Sequence, residues 1–261
     1  MPDLIEVNSL SLPQLAPYRS LTGKQLQRDG ILIAESENVI LAALEMGCKP
    51  LSLLMERQHV QGKGRGLVEK CGVPVYTGED SLLMSLTGFQ LSRGILCAME
   101  RPASRAPEMV LQGARRIAVL ENVVDGTNVG ALFRSAAALG VDGLLITPDC
   151  CDPFQRRAAR VSMGAVFRIP FAVCEDPLEL LRAAGFATVA LALTENALPI
   201  QAPELKRAER LALFLGAEGD GLKTETIGAC DFAAIIPMQH QMNSLNVAAA
   251  GAVAFWELCK K

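Results

Sequence analysis

The sequence predicts two α/β domains joined by a short linker, and two observations lead there. Short apolar runs of strand length, each bounded by glycine or polar residues, recur along the chain with amphipathic helical spacings between them. That alternation is the pattern of parallel sheets covered by helices. Residues 101–116 interrupt it with Arg101, Pro102, Arg105, Pro107, Arg115 and Arg116 among few apolar residues, which marks a linker. At 261 residues, half of them hydrophobic, the chain is long enough to bury a core on either side of it.

The first domain is assigned to residues 1–100. Residues 31–34 read as a strand and 38–46 as a helix with Val39, Ile40, Ala43 and Leu44 on one face. Residues 51–55, 73–76 and 95–99 follow as strands. Between the second and third lies ERQHVQGKGRG at 56–66, glycine-rich and carrying Arg57, Lys63 and Arg65. Its two readings are a mobile surface loop and a flexible basic finger that meets phosphates. It is no phosphate-cradling P-loop, since GxxxxGK[ST] is absent.

The second domain is assigned to residues 117–261. Its most informative stretch is ENVVDGTNVGALFRSAAALGVDG at 121–143, set between apolar runs at 117–120 and 144–146. Asn128 is placed to cap a helix whose apolar positions are Val129, Leu132, Phe133, Ala136 and Ala137, and Gly140 is placed to end it. Arg134 lies off this stripe among the small residues Ala131, Ser135 and Ala138, where an isolated charge is normally a solvated one. Residues 150–168 bring Arg156, Arg157, Arg160 and Arg168 close together, either a solvated helix face or a positive rim facing a ligand. Strands are expected at 187–193 and 211–215, with a polar helix at 203–210 between them. LGAEGDGL at 215–222 and IIPMQHQMNSLNV at 235–247 then follow strands as loops, and open α/β sheets place ligands beyond the carboxyl ends of their strands. The GxxGxG spacing of Gly216, Gly219 and Gly221 differs from the dinucleotide fingerprint and leads into no helix, so a nucleotide-dependent oxidoreductase is disfavoured. The helix at 247–258 is apolar nearly all round, which predicts burial on more than one side, and its Phe255 and Trp256 favour a homodimer interface.

Composition narrows the function classes. A net charge of −3 excludes a uniformly basic nucleic-acid coat but permits local basic patches. Eight cysteines without a CxxC pair, accompanied by only His59 and His240, predict reduced thiols and no metal site. The opening residues carry no signal-peptide pattern, and the longest apolar run, 247–256, is too short to span a bilayer. The expectation is a soluble cytoplasmic protein without membrane contact.

Three motifs in register resemble the SpoU/TrmH family, which are S-adenosyl-L-methionine-dependent RNA 2′-O-ribose methyltransferases of the SPOUT superfamily. They are Asn128-Val129-Gly130 with Arg134, then Leu215-Gly216-Ala217-Glu218-Gly219, then Ile236-Pro237-Met238 with Ser244-Leu245-Asn246-Val247. The run GILIAES, within residues 18–102, is similar to the family's N-terminal substrate-binding domain, itself like RNA-binding ribosomal proteins. The resemblance implies a C-terminal α/β domain with a parallel sheet and a trefoil knot, a fold composition alone would never suggest. It implies a homodimer packed through the last helix, and structured RNA as partner, ribosomal RNA first and transfer RNA as the alternative. An RNA-binding protein that has lost methyl transfer is a further alternative, which the retained motif side chains oppose. Carried over position by position, it assigns S-adenosyl-L-methionine binding to Gly216, Ile236 and Leu245, with Leu215 and Met238 lining its pockets and Thr194 near the rim. It assigns catalysis to Arg134, either as the base for the 2′-hydroxyl or as the group that stabilises the charge developing there, oriented by a charge-assisted pair with Glu218, while Asn128, Ser244 and Asn246 hold the ribose and the loops. Two positions depart from the family pattern: Gly126 stands where proline is common, and His240 where glycine is common, either crowding the cofactor edge or turned to solvent.

Overall fold

The computed structural model describes residues 2–19, 23–88, 94–240 and 244–259. The chain divides into two compact units: Met1–Ala103 with Phe154–Phe167, and Ser104–Pro153 with Arg168–Lys261.

The first unit holds a five-stranded mixed sheet. Its strands are β1 (Leu4–Glu6), β2 (Ile31–Glu35), β3 (Pro50–Glu56), β4 (Val75–Gly78) and β5 (Ile95–Glu100), in the order β1-β4-β3-β5-β2. β1, β4 and β3 run parallel, and β5 is antiparallel to both β3 and β2. The helices are α1 (Ala16–Arg19), α2 (Gly23–Arg28), α3 (Glu37–Glu45), α4 (Arg57–Val60), α5 (Arg65–Cys71) and α6 (Asp80–Thr87). Tyr18 is fully buried, and its hydroxyl reaches the Ser52 carbonyl at 2.9 Å and accepts from the Ala98 N–H at 3.3 Å. The basic stretch 56–66 is not an open finger. α4 and the start of α5 occupy it, Arg57 pairs with Glu6 and Glu79, and Arg65 pairs with Glu69 at 2.9 Å. For Arg57 the partners are carboxylates distant in sequence, and for Arg65 a carboxylate one helical turn away.

The second unit begins with α7 (Pro107–Leu111), inside the stretch expected as linker, and β6 (Arg116–Leu120). Next come α8 (Gly126–Ala138) and β7 (Gly143–Ile146). α9 (Arg156–Val161) belongs with the first unit, and the chain then returns for β8 (Phe171–Val173), α10 (Pro177–Ala183), β9 (Ala187–Leu191) and β10 (Leu198–Pro199). α11 (Pro203–Arg207), β11 (Leu211–Leu215), α12 (Thr224–Ala229), β12 (Phe232–Ile235) and α13 (Val247–Leu258) complete it. Its seven-stranded sheet has the order β10-β12-β9-β11-β6-β7-β8, and every pairing is parallel. The central strands β6, β9 and β11 are almost wholly buried, which is why they read as largely apolar runs.

The basic cluster at 150–168 has a structural task. The segment Phe154–Phe167 packs with the first unit, and its Arg156 and Arg160 reach the carboxylate of Glu35 at 2.5 and 3.2 Å. Glu35 is only 2% exposed, so it needs both partners; a buried carboxylate left unpaired costs several kcal/mol, about 3–5. Phe154 stacks on Phe167 at 5.2 Å, with the Arg101 guanidinium 5.0 Å over its ring. Arg157 and Arg168 are exposed.

α13 packs against α8 through Val247, Gly251, Ala254, Phe255 and Leu258 on its buried side. Gly251 permits the close approach, because a Cβ there would lie 2.4 Å from the Leu132 methyl of α8 and displace that side chain. Val253 and Trp256, 41% and 54% exposed, lie on its other side. Among the described residues no helix is long and apolar enough to cross a membrane, and no group of three or more His, Cys, Asp or Glu side chains could hold a metal ion.

Candidate active site

β9, β11 and β12 are parallel neighbours whose registers pair Phe214 with Ala190 and Ala234 with Leu191, so their carboxyl ends emerge side by side. The residues beyond those ends, 191–193, 215–222, 234–236, Met238 and 244–247, enclose a cavity of about 550 Å³, with Ile227 and Ala250 behind them. That volume falls in the ~300–1,000 Å³ range of cofactor-sized pockets.

The loop 216–222 is shaped by its glycines. A Cβ on Gly216 would sit 2.2 Å from the Gly221 carbonyl carbon and 2.3 Å from the Leu222 nitrogen, so only glycine lets the loop fold back on itself. Ala217 and Gly221 exchange backbone hydrogen bonds of 3.2 and 3.1 Å, while Gly219 and Gly221 adopt φ of 88° and 71°. These glycines make one tight hairpin that forms a wall of the cavity.

Asn246 joins the motifs. Its Oδ1 accepts from the N–H groups of Ala248 and Ala249 at 2.9 and 3.3 Å, capping α13. Its Nδ2 donates to Asn128 Oδ1 at 3.0 Å and to Glu218 Oε1. Asn128 therefore does not cap α8. Asp125 does, accepting from the Thr127 N–H at 2.6 Å, and the helix starts at Gly126. The loop before it is braced from below: the Asn122 N–H donates to Thr147 Oγ1 at 3.0 Å, and the Val123 N–H to Cys150 Sγ at 3.3 Å. Burial pushes the Cys150 thiol up, and that of Cys151 up to about 11, so both act as neutral packing groups.

Of the residues assigned to the cofactor, Leu215, Gly216, Ile236, Met238 and Leu245 all line the cavity. Thr194 does not: β9 ends at Leu191, and the exposed Thr194 turns its carbonyl back to the Ala197 N–H at 3.1 Å. Of the catalytic set, Glu218, Ser244 and Asn246 line the cavity and Asn128 joins through Asn246. The expected pair between Arg134 and Glu218 is not formed. Arg134 is exposed on α8 and outside the cavity wall, and Glu218 receives Asn246 instead. His240 is exposed with φ of 57° and no part of the wall. The motifs gave no sign of residues 191–193, Leu222 or Ile227; the first could have been found only from their place after a buried strand.

The donor set has a clear chemical preference. The described lining contains the carboxylates Glu218 and Asp220 and no lysine, arginine or histidine, while Leu191, Leu193, Ile236 and Leu245 supply apolar surface. Such a wall fits a flat apolar ring joined to a positive centre and disfavours a polyphosphate. A sulfonium nucleoside has those two parts.

The profile of the SpoU rRNA Methylase family matches residues 115–256, more than half of the chain and the whole of this cavity. The chain belongs to that family. Over 262 aligned positions it is 37% identical to an uncharacterized tRNA/rRNA methyltransferase of Mycobacterium tuberculosis, covering 94% of this chain and 88% of the relative. It is 29% identical over 204 positions to the 23S rRNA (guanosine-2′-O-)-methyltransferase RlmB of Acinetobacter baylyi, covering 75% and 82%. Among solved structures, an rRNA methyltransferase from Sinorhizobium meliloti with bound AdoMet superposes with a TM-score of 0.81 at 26% identity, covering 97% of both chains.

Proposed function

We propose that this family member transfers a methyl group from S-adenosyl-L-methionine to a ribose 2′-hydroxyl of ribosomal RNA. The observation that carries the reading is the acidic, apolar-walled cavity built by the second and third motifs and tied to the first through Asn246. The names of the Acinetobacter and Sinorhizobium relatives agree with the reaction, the RNA and the cofactor. The Mycobacterium relative's name includes transfer RNA, which stands as the second substrate.

When bound, S-adenosyl-L-methionine supplies an electrophilic methyl group. The work left to the chain is to hold and orient. Leu215, Ile236, Met238 and Leu245 flank the cofactor, and Gly216 keeps the hairpin folded so that backbone groups come close. Glu218 favours the positive centre, while Asn128, Ser244 and Asn246 fix the loops and the ribose; placement carries much of the rate when an oxygen must align with a methyl group. A guanidinium keeps its proton, so Arg134 acts by stabilising charge developing on the 2′-oxygen and the adjacent phosphate. Its exposure on α8 leaves it open to an approaching RNA or second chain, which supports that role.

Three further features belong to the same reading. The chain passes from β11 over β9 to β12 and returns as α13 to pack on α8, a path that suits a trefoil knot. The exposed Val253 and Trp256 suit a homodimer packed through α13. The unit containing Met1–Ala103 suits an RNA-binding domain, and ribosomal RNA as target suits the cytoplasm. The test is a map of 2′-O-methyl sites in ribosomal and transfer RNA from cells with and without the protein. One ribosomal ribose losing its methyl group is expected, and identical maps would refute the proposal.

A further inference from the structure

Among the described residues, Glu121 is the one buried acidic side chain of the second unit, 5% exposed, and none of the motif assignments uses it. It directly follows β6, and it touches both ends of the hairpin that walls the cavity. At the entrance, its backbone N–H donates to the Leu215 carbonyl at 2.9 Å, one residue before Gly216. At the exit, its Oε1 accepts from the Lys223 N–H at 2.7 Å and its Oε2 from the Thr226 hydroxyl at 2.6 Å. Leu222 and Ile227, which bracket that stretch, both face the cavity.

From this we infer that Glu121 is a positioning residue for cofactor binding: it clamps the two ends of the 216–222 hairpin and so fixes the width of the cavity. The inference rests on the reading of the cavity as the S-adenosyl-L-methionine site. The hairpin's own internal backbone bonds join only Ala217 and Gly221, and its other tie is the exposed contact of Glu218 with Asn246, so its ends must be held for it to keep its place. The bidentate carboxyl group holds the exit, and it does so from a buried place where water competes poorly for its oxygens. A free hairpin must be ordered by the ligand, at the expense of affinity. Glu121 touches neither the cavity nor the reacting atoms, so its effect falls on binding and spares the chemical step.

The test measures the dissociation constant of S-adenosyl-L-methionine by calorimetry, and methyl transfer to RNA at saturating cofactor, on the full chain. Glu121→Ala is expected to weaken binding about tenfold and leave kcat within about threefold of wild type. Thr226→Val, which removes one of the two bonds, is expected to weaken it about threefold. Glu121→Gln keeps an acceptor for the Lys223 N–H and can exchange roles with the Thr226 hydroxyl, so it should stay within about threefold of wild type. Glu121→Ala binding as tightly as wild type overturns the inference, and so does a collapse of kcat with unchanged affinity. Should Glu121→Ala fail to fold, Lys223→Pro decides by the same two outcomes. It removes the backbone N–H that donates to Glu121 Oε1, at a residue whose φ of −59° already suits proline. Wild-type protein that binds no S-adenosyl-L-methionine contradicts the cavity reading itself, a separate failure visible before any variant is made.

Discussion

Replacing Asn246 by alanine removes three things at once, and the structure gives each a size. The N-cap of α13 loses its acceptor for the Ala248 and Ala249 N–H groups, which costs about 1 kcal/mol. Asn128 Oδ1, on a side chain only 6% exposed, loses its donor, at about 1–3 kcal/mol. The contact to Glu218 goes too, but Glu218 is exposed and its loss adds little. Asn246 itself is exposed, so water replaces part of what is lost, and the net destabilisation expected is about 2 kcal/mol. Trp256, the chain's only tryptophan, lies in α13, and urea unfolding followed by its fluorescence reports on this unit. Asn246→Ser keeps the cap and should recover about 1 kcal/mol. Asn246→Asp also keeps the cap but turns a donor into an acceptor facing Asn128 and Glu218, so it should be at least as unstable as the alanine variant. An alanine variant within about 0.5 kcal/mol of wild type, or an aspartate variant as stable as wild type, refutes the assigned network.

Gly216→Ala must open the hairpin because its Cβ meets backbone at 2.2 Å, and calorimetry should register loss of cofactor binding in a protein that still folds. Arg156→Glu combined with Arg160→Glu leaves Glu35 buried among like charges, and thermal melting should show the first unit destabilised by about 3–5 kcal/mol. A weaker RNA affinity in that double variant would then follow from loss of structure, so RNA contact is better probed at the exposed Arg157 and Arg168. The thiols give a pH prediction. The Cys71 thiol is held below its usual range by a hydrogen bond from Cys97 and by Lys70, whereas burial pushes Cys259 up to about 12. Iodoacetamide near neutral pH should therefore modify Cys71 first. For Cys259 the folded value lies above the unfolded one, so its contribution to stability is complete below about pH 9 and is lost as pH rises from there through 12.

The central strands were legible because burial on both faces makes them continuous apolar runs, as at 117–120 and 211–215. Most of the cavity wall was legible from the two loops, 215–222 and 235–247, that follow such strands. What was hidden is what depends on distant partners. Glycine's poor helix propensity argues against a helix starting at Gly126, yet Asp125 caps it there and packing holds it. Arg156 and Arg160 read as surface charge because Glu35, which neutralises them, lies in β2 at the other end of the sequence. Arg57 read as free for the same reason, its partners being Glu6 and Glu79. Glu121 escaped notice because its role is set by Lys223 and Thr226, which no local pattern connects to it.

The account turns on methyl transfer to a ribose with Arg134 as the charge-stabilising group. The direct measurement uses methyl-labelled S-adenosyl-L-methionine, unmodified ribosomal RNA, and wild-type and Arg134→Ala protein, with the labelled position mapped in the RNA. The account predicts label on a 2′-oxygen with wild type, and none with Arg134→Ala although that variant still binds the cofactor. Label on a base, or equal transfer by the variant, would contradict it.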